Sequence, residues 1–584
     1  MHSKLTQNAL PGKNVLILCT LILGASLAFA GPPKISPDLQ SSNVSGQVDV
    51  IVQFNQVPNA DYHQKVLRRG GTLKRQYTQF KGGAYTMPAS ALADLADDPD
   101  VVHISPDRAL RSTSASSITP VNDYHPAAIN GYPSVLDGYT GAGIGVALID
   151  SGIASNSDIG LLKVVANQDF TGALLGSAAD QYGHGTHVAG ILAGNGAASS
   201  GLGDYFIFRG IAENVNLINL RVLDQNGAGT DSEVIGAIDK AISLKSLYNI
   251  RVINLSLGRP VWESYKQDPL CQAVEQAWKA GIVVVVAAGN YGRDNNAGTN
   301  GYGTITAPGN DPYVITVGAM NTLGTLPRTD DVPASYSSKG PTLFDQVIKP
   351  DIVAPGNRII SLYTAGETLS QQYPGNKIPI SLYQNTTSTA ASGNYFFLSG
   401  TSMATPMVSG AAAILLQQNA SLTPDQVKAR LMKSAFKNLV QYSSATDPTT
   451  GITYYDQADI FTVGAGYLDI EAALANTDLA PSTTGSAMSP TAKVTGGNVV
   501  LLPDGSSVLG GSSVLWGSSA VWGSSVLWGS NVAGESVLWG SGTLEGESVL
   551  WGSNSTEADS VLWGSSVLWG STELAPELII YGDN

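Results

Sequence analysis

From about residue 126 to residue 475, short β-branched and apolar runs alternate with longer stretches of helical periodicity. That alternation restricts the chain to one broad architecture. Ile144 to Ile149, Val215 to Val222, Val252 to Ser256, Ile282 to Ala288 and Tyr313 to Val317 read as strands with two apolar faces. Such strands must be covered on both sides, as in a parallel sheet between helices. Residues 184–194, 230–246, 268–280, 402–418 and 424–435 supply the helices. The expected fold class is α/β, a parallel sheet with helices on both faces. Reactive groups in such sheets gather at the carboxyl ends of the strands.

The chain reads as several units. Residues 1–30 have the pattern of a secretory signal: Lys4 and Lys13, an apolar core from Val15 to Ala28, and a small-x-small end at Ala28-Phe29-Ala30. The apolar run is short for a membrane span. Residues 31–120 form a small α+β unit, with strand, helix, strand, strand, helix, strand in order between residues 49 and 105. His103 near its end reads as a strand-end histidine, with a pH switch as the rival reading. Residues 121–475 are the α/β domain, 476–505 a linker rich in Ser, Thr, Gly and Pro, 506–571 a repeat region and 572–584 a tail. A net charge of −15 argues against nucleic-acid or anionic-membrane partners. Of the two cysteines, Cys19 lies in the signal and Cys271 on a helix, so the mature chain forms no intrachain disulfide.

Three segments carry the chemistry. Asp150 ends the first strand, in Leu148-Ile149-Asp150-Ser151-Gly152, where a carboxylate also serves as an ordinary turn residue. Beyond residue 126 the histidines are His184 and His187, in Gly183-His184-Gly185-Thr186-His187. His184, between glycines at a helix start, is open to a cleft; His187 lies among apolar neighbours and reads as structural. A zinc pair is the alternative, but the spacing does not match the zincin helix. Ser402, in Ser399-Gly400-Thr401-Ser402-Met403-Ala404-Thr405-Pro406, precedes the Ala-rich run Met407 to Leu416. Its hydroxyl would sit at a helix N-terminus, where unpaired N–H groups favour developing negative charge. A plain N-cap gives the same pattern. Ser is a weak nucleophile until a neutral imidazole takes its proton and a carboxylate orients that imidazole.

The Gly-Thr-Ser-Met-Ala and Gly-His-Gly-Thr-His segments, with Asp150 and the order Asp, His, Ser, resemble the subtilisin-like serine peptidases. The resemblance runs from about residue 140 to 470. It implies a secreted endopeptidase with Asp150, His184 and Ser402 as catalytic triad and Asn290, in Ala287-Ala288-Gly289-Asn290, as oxyanion donor. It also implies that Gly227-Ala228-Gly229 and Ser256-Leu257-Gly258 flank an extended peptide substrate. Ala288 and Gly289 would form one wall of the pocket for the residue before the cut bond. Thr306 would lie near its floor, with no acid there, so an uncharged apolar side chain is expected. Residues 31–120 resemble the inhibitory propeptide of secreted members, with self-cleavage expected between Arg111 and Asn122. The chemistry requires no cofactor; structural calcium is an option the resemblance leaves open, with no metal residue assigned. Glu367 to Tyr395 reads as an inserted surface loop.

In the C-terminal region a Ser-Val-Leu-Trp-Gly-Ser unit recurs, with Trp516, Trp522, Trp528, Trp539, Trp551, Trp563 and Trp569. Its short period points to stacked strands or a β-solenoid. The alternatives are a tail that orders on self-association and a sticky surface for polysaccharide or cell envelope. The rival to the enzyme reading is an inert protein that keeps the fold and binds surfaces through these repeats.

Overall fold

The computed structural model describes residues 33–41, 46–112, 124–131, 138–160, 162–172, 177–296, 298–447, 450–495 and 498–502, with the short segments 514–516, 526–528, 536–538 and 548–550. The expected signal, the bulk of the expected self-cleavage stretch and the C-terminal tail lie outside the described residues. Among the described residues, no helix is long and apolar enough to cross a membrane.

The first unit follows the expected order. Strands β1 (Gln47–Phe54), β2 (Thr72–Gln76), β3 (Gly82–Pro88) and β4 (Val101–Pro106) form an antiparallel sheet in the order β2-β3-β1-β4. Helices Ala60–Leu67 and Leu92–Ala96 connect them. Val50, Val52, Phe54, Val66, Tyr85, Leu95 and Ile104 make a separate core. The chain then runs out as a short strand, β5 (Ala109–Ser112).

The second unit is built on β6 (Gly145–Asp150), β7 (Val164–Asp169), β8 (Asn216–Arg221), β10 (Ile250–Leu255), β12 (Val283–Ala287) and β13 (Ile315–Asn321). Two short edges, β9 (Ala228–Thr230) and β11 (Leu257–Gly258), lie outside it, and β14 (Val332–Pro333) and β15 (Ile352–Pro355) complete it. The sheet order is β14-β13-β12-β10-β6-β8-β7, with β15 also on β13. Every pairing is parallel except that of β14. The four consecutive valines of β12 are all buried, as β-branched residues are on a doubly covered strand.

The helices have local reasons to start where they do. Thr230 and Glu233 form a capping box for Asp231–Tyr248. The Asp268 carboxylate accepts from Leu270 N and Cys271 N, with Pro269 at the first position of Pro269–Lys279. Cys271 is buried on that helix, its thiol 3.2 Å from Asn310 Oδ1.

Three features depart from expectation. Glu367 to Tyr395 is not a plain surface loop. It holds a helical turn (Thr368–Gln372) and β17 (Lys377–Pro379), runs into β18 (Ala391–Leu398), which pairs with β17 and with the preceding β16 (Ile359–Leu362), and buries Leu369, Ile378, Tyr383 and Tyr395. Its Ser, Thr and Asn content hid apolar anchors spaced too widely to read as one element. The stretch expected as a linker is docked up to residue 492. Ser489 N donates to Pro312 O (2.9 Å), Ala492 N to Gln346 O (2.8 Å) and the Lys428 ammonium to Ser489 Oγ (2.9 Å). Those bonds are mainly backbone bonds, which composition does not encode.

Third, His103 is not a simple strand-end residue. Its Nε2 lies 2.6 Å from Glu263 Oε2, both side chains buried, where the first unit packs on the second. Ser105 Oγ donates to Glu263 Oε1 (2.8 Å), and Arg108 pairs with Glu263 (2.8 Å) and Asp38 (2.9 Å). The Asp231–Tyr248 helix is held from the same side. Asp107 accepts from Ser232 N (2.8 Å) and Oγ (2.7 Å), and Asp239 accepts from Thr78 N (3.0 Å) and Phe80 N (3.1 Å).

In the repeat region the described segments are four parallel strands in register: Val514 pairs with Val526, Val526 with Val537 and Val537 with Val549.

Candidate active site

Asp150 is the last residue of β6, at the carboxyl end of the sheet. His184 is the first residue of the His184–Ala193 helix, entered through Gly183 at φ 107°. His184 Nδ1 lies 2.7 Å from Asp150 Oδ1, and both side chains are fully buried. The same oxygen accepts from Ser151 N at 2.7 Å. The carboxylate makes Nδ1 the protonated nitrogen of the neutral ring, which leaves the Nε2 lone pair as a base. Nε2 makes no hydrogen bond.

A residue the sequence reading missed holds these two elements together. Asp180, buried in the loop before His184, accepts from Ser151 Oγ (2.9 Å), Tyr182 N (3.0 Å), Gly183 N (2.8 Å), Thr186 N (2.8 Å) and Thr186 Oγ1 (2.7 Å). Ser151 Oγ in turn accepts from Gly185 N at 2.8 Å. The end of β6 and the start of the helix are thus one hydrogen-bonded block. Burial raises the Asp180 carboxyl above its ordinary range, against these donors. His187 is fully buried with Nε2 3.1 Å from Phe396 O, a structural placement.

Ser402 lies in the first turn of the Thr401–Gln418 helix, which packs against the His184 helix and against β10, β12 and β13. Its Oγ donates to Ser256 O (3.0 Å), and Ser256 Oγ donates back to Ser402 O (2.9 Å). The second bond has a clear cause. Pro406 has no N–H, so the Ser402 carbonyl loses its helical partner, and a side-chain hydroxyl replaces it. Asn290 Oδ1 accepts from Thr401 N and Thr401 Oγ1, both at 3.0 Å. An amide whose oxygen is taken in this way presents Nδ2 as its remaining donor, beside the residue that precedes Ser402.

The two expected peptide-binding edges are brought face to face, and a strand already lies between them. β5 pairs antiparallel with β9 on one side and β11 on the other. Leu110 is opposite Gly229, Arg111 opposite Ala228 and Gly258, and Ser112 opposite Leu257. Ser112 N donates to Gly227 O at 3.1 Å. Leu110 and Ser112 point inward and Arg111 outward, the alternation of a strand. Thr306 is wedged below. A Cβ on Gly258 would lie 2.6 Å from Thr306 Oγ1, and one on Gly289 2.6 Å from Thr306 Cγ2. Ala288, Gly289 and Thr306 are therefore contiguous, with Ala288 O accepting from Thr306 Oγ1 (3.2 Å).

The sequence pattern of the Subtilase family matches residues 141–466. Subtilisin E of Bacillus subtilis is 32% identical over 421 residues, which cover 72% of this chain and 93% of subtilisin E. The chain belongs to the subtilase family of serine proteases. A second relative of this subtilase, serine protease AprX of Bacillus subtilis, is 39% identical over 307 residues, or 51% of the chain. The match spans 62% of AprX's own length. Among solved structures, fervidolysin from Fervidobacterium pennivorans, a keratinolytic enzyme related to subtilisin, shares the fold with a TM-score of 0.54 at 21% identity, covering 75% of this chain and 62% of fervidolysin.

Besides Asp180, the sequence reading of this subtilase missed the reciprocal Ser256–Ser402 pair and Glu367. Among the described residues, no group of three or more His, Cys, Asp or Glu is arranged to hold a metal ion. In the Arg293 to Asn296 loop, Asp294 Oδ1 accepts from Asn296 N (2.9 Å), a local turn.

Proposed function

We propose that this subtilase is a secreted serine endopeptidase made as a self-processed precursor, with Asp150, His184 and Ser402 as triad and Asn290 as oxyanion donor. The observation that carries the reading is the buried Asp150–His184 pair at 2.7 Å, with Nε2 of the ring left to act as base beside the Ser402 helix.

In the first step Ser402 Oγ leaves its bond to Ser256 O and attacks the carbonyl carbon of the peptide, while His184 Nε2 takes its proton. Asp150 stabilises the imidazolium through Nδ1. The negative charge forming on the carbonyl oxygen is met by Asn290 Nδ2 and the Ser402 backbone N–H at the helix start. His184 then gives its proton to the departing amine, and water repeats the sequence on the acyl-enzyme. No step uses a metal; structural calcium is a separate question, answered by the effect of a chelator on thermal stability.

The substrate is an extended peptide added as a strand between β9 and β11, held by main-chain bonds. Ala288, Gly289 and Thr306, which form the assigned pocket, carry no charge, so an uncharged apolar residue before the cut bond is preferred. Strong preference for Arg or Lys there, in a panel of peptides varied at that position, would reject the pocket assignment. Residues 31–120 act as the propeptide, with β5 occupying the groove in the manner of substrate. The C-terminal repeats contribute contact with polysaccharide or cell envelope.

The test is Ser402→Ala. It should accumulate as the uncut precursor, whereas an inert surface-binding protein would show the same chain length with and without the substitution.

A further inference from the structure

Glu367 is a buried acid, 4% exposed, in a segment that looked like a loop. Its Oε2 accepts from Thr364 N at 2.8 Å, and its Oε1 has no hydrogen-bond partner. The carboxyl lies against the residue that introduces His184. A Cβ on Gly183 would be 3.0 Å from Glu367 Oε2, and Gly183 is in the left-handed region, so glycine alone fits there without strain.

The segment around Glu367 clamps two parts of the site. Thr368 N donates to Gln181 O (3.0 Å) and Leu369 N to Tyr182 O (2.9 Å), both in the loop that leads into His184. Thr368 Oγ1 donates to Gln225 O at 2.8 Å, in the turn that leads into β9. Tyr182 reaches the same turn: its ring lies 2.5 Å from where a Cβ on Gly227 would be. One short strap thus touches both the start of the His184 helix and one wall of the peptide groove.

We propose that Glu367 is a positioning residue of this protease, holding the 364–372 strap so that the His184 turn and the β9 wall keep one arrangement. The inference rests on His184 acting as the base. The group is poised to be sensitive to pH. The groups that face it are the Asp180 carboxylate and the Thr186 hydroxyl on the His184 side, and Thr364 and Tyr363 on its own segment. Burial, then repulsion from Asp180, pushes the Glu367 carboxyl up to about 8. Below that pH it is neutral and packs beside Asp180. Above it, two carboxylates share one buried site at the start of the helix, and the charge is relieved only if the strap moves away.

The sign follows. An acid raised in the folded state from 4.5 to about 8 favours the docked strap at low pH, and that preference is lost as pH rises toward and through 8. The experiment is kcat and KM against pH for one peptide substrate, in wild type, Glu367→Gln and Thr368→Val. Wild type should lose kcat/KM above about pH 8. Glu367→Gln has the shape of the neutral acid and cannot ionise, so this limb should move up by about one pH unit or more. Thr368→Val keeps the backbone bonds but loses the tie to Gln225, and should raise KM more than it lowers kcat. Overlapping wild-type and Glu367→Gln profiles, or a wild-type profile flat to about pH 10, roughly two units above the shifted group, would overturn the proposal. Fluorophosphonate labelling of the same samples separates the two readings. If Ser402 is labelled and the profiles overlap, the strap proposal fails alone; if wild type is unlabelled, the triad reading has failed first.

Discussion

Two buried imidazole–carboxylate pairs in this chain have nearly the same length. His184 is 2.7 Å from Asp150, and His103 is 2.6 Å from Glu263. Their settings differ in what anchors each carboxylate. Asp150 and His184 belong to one domain and are locked by Ser151, Asp180 and Gly185 into a single block, with Asp150 Oδ2 and His184 Nε2 unpartnered. Glu263 is saturated by His103, Ser105 and Arg108, all supplied by the other unit. Burial alone would raise Glu263, but His103 and then Arg108 outweigh it and hold it down to about 2. A histidine beside a carboxylate is therefore not chemistry by itself. Each ring keeps one nitrogen without a hydrogen bond, His184 Nε2 and His103 Nδ1; the first pair sits in a rigid frame beside the Ser402 helix, and the second lies in the buried seam that joins two domains.

The largest contrast should appear when the first pair is cut. Ser402→Ala or His184→Ala should each lower kcat by about 10^6-fold, the scale seen for such residues in a subtilisin, and the double variant should be no slower than either single one. Additive losses would show that the residues act separately. Cutting the second pair should act on association instead. In the Ser402→Ala precursor, Arg108→Ala removes the guanidinium from Glu263 and Asp38 and should cost about 3–5 kcal/mol, read from the urea midpoint of the interface. Glu263 also sets a pH window. Its folded value lies below the ordinary 4.5, so its contribution is full above pH 4.5 and is lost as pH falls toward 2. Acid should loosen the precursor across that window, and Glu263→Gln should flatten the response.

Smaller effects sharpen the same division. Asn290→Ala should lower kcat by about 100- to 1000-fold with little change in KM. Asp107→Ala removes an external cap from the Asp231–Tyr248 helix and should destabilise the precursor by about 1 kcal/mol, measured by thermal unfolding.

The first pair was legible in the sequence and the second was not, for a physical reason. Asp150 follows an apolar strand and His184 sits in a glycine-flanked helix start, so local pattern places both at a strand end. The valine run of β12 and the Ala-rich Ser402 helix were equally plain. Glu263 and Asp180 stand in polar connections with no period, and their partners lie far along the chain. Glu367 and the 480–492 stretch look like solvent-exposed chain because their anchoring is by backbone bonds and single side chains. The strand β5 had no signal of its own: four residues acquire an extended shape only because β9 and β11 supply partners on both sides.

The central claim is that Ser402 is made nucleophilic by the Asp150–His184 pair. Covalent labelling of the purified protein by a fluorophosphonate, with the adduct located by peptide mass spectrometry, tests it directly. The account predicts one adduct on Ser402 in the wild-type enzyme, none in Ser402→Ala, and labelling slowed by orders of magnitude in His184→Ala. Peptide hydrolysis that persists with Ser402 unlabelled, or an adduct that forms equally fast without His184, would contradict it.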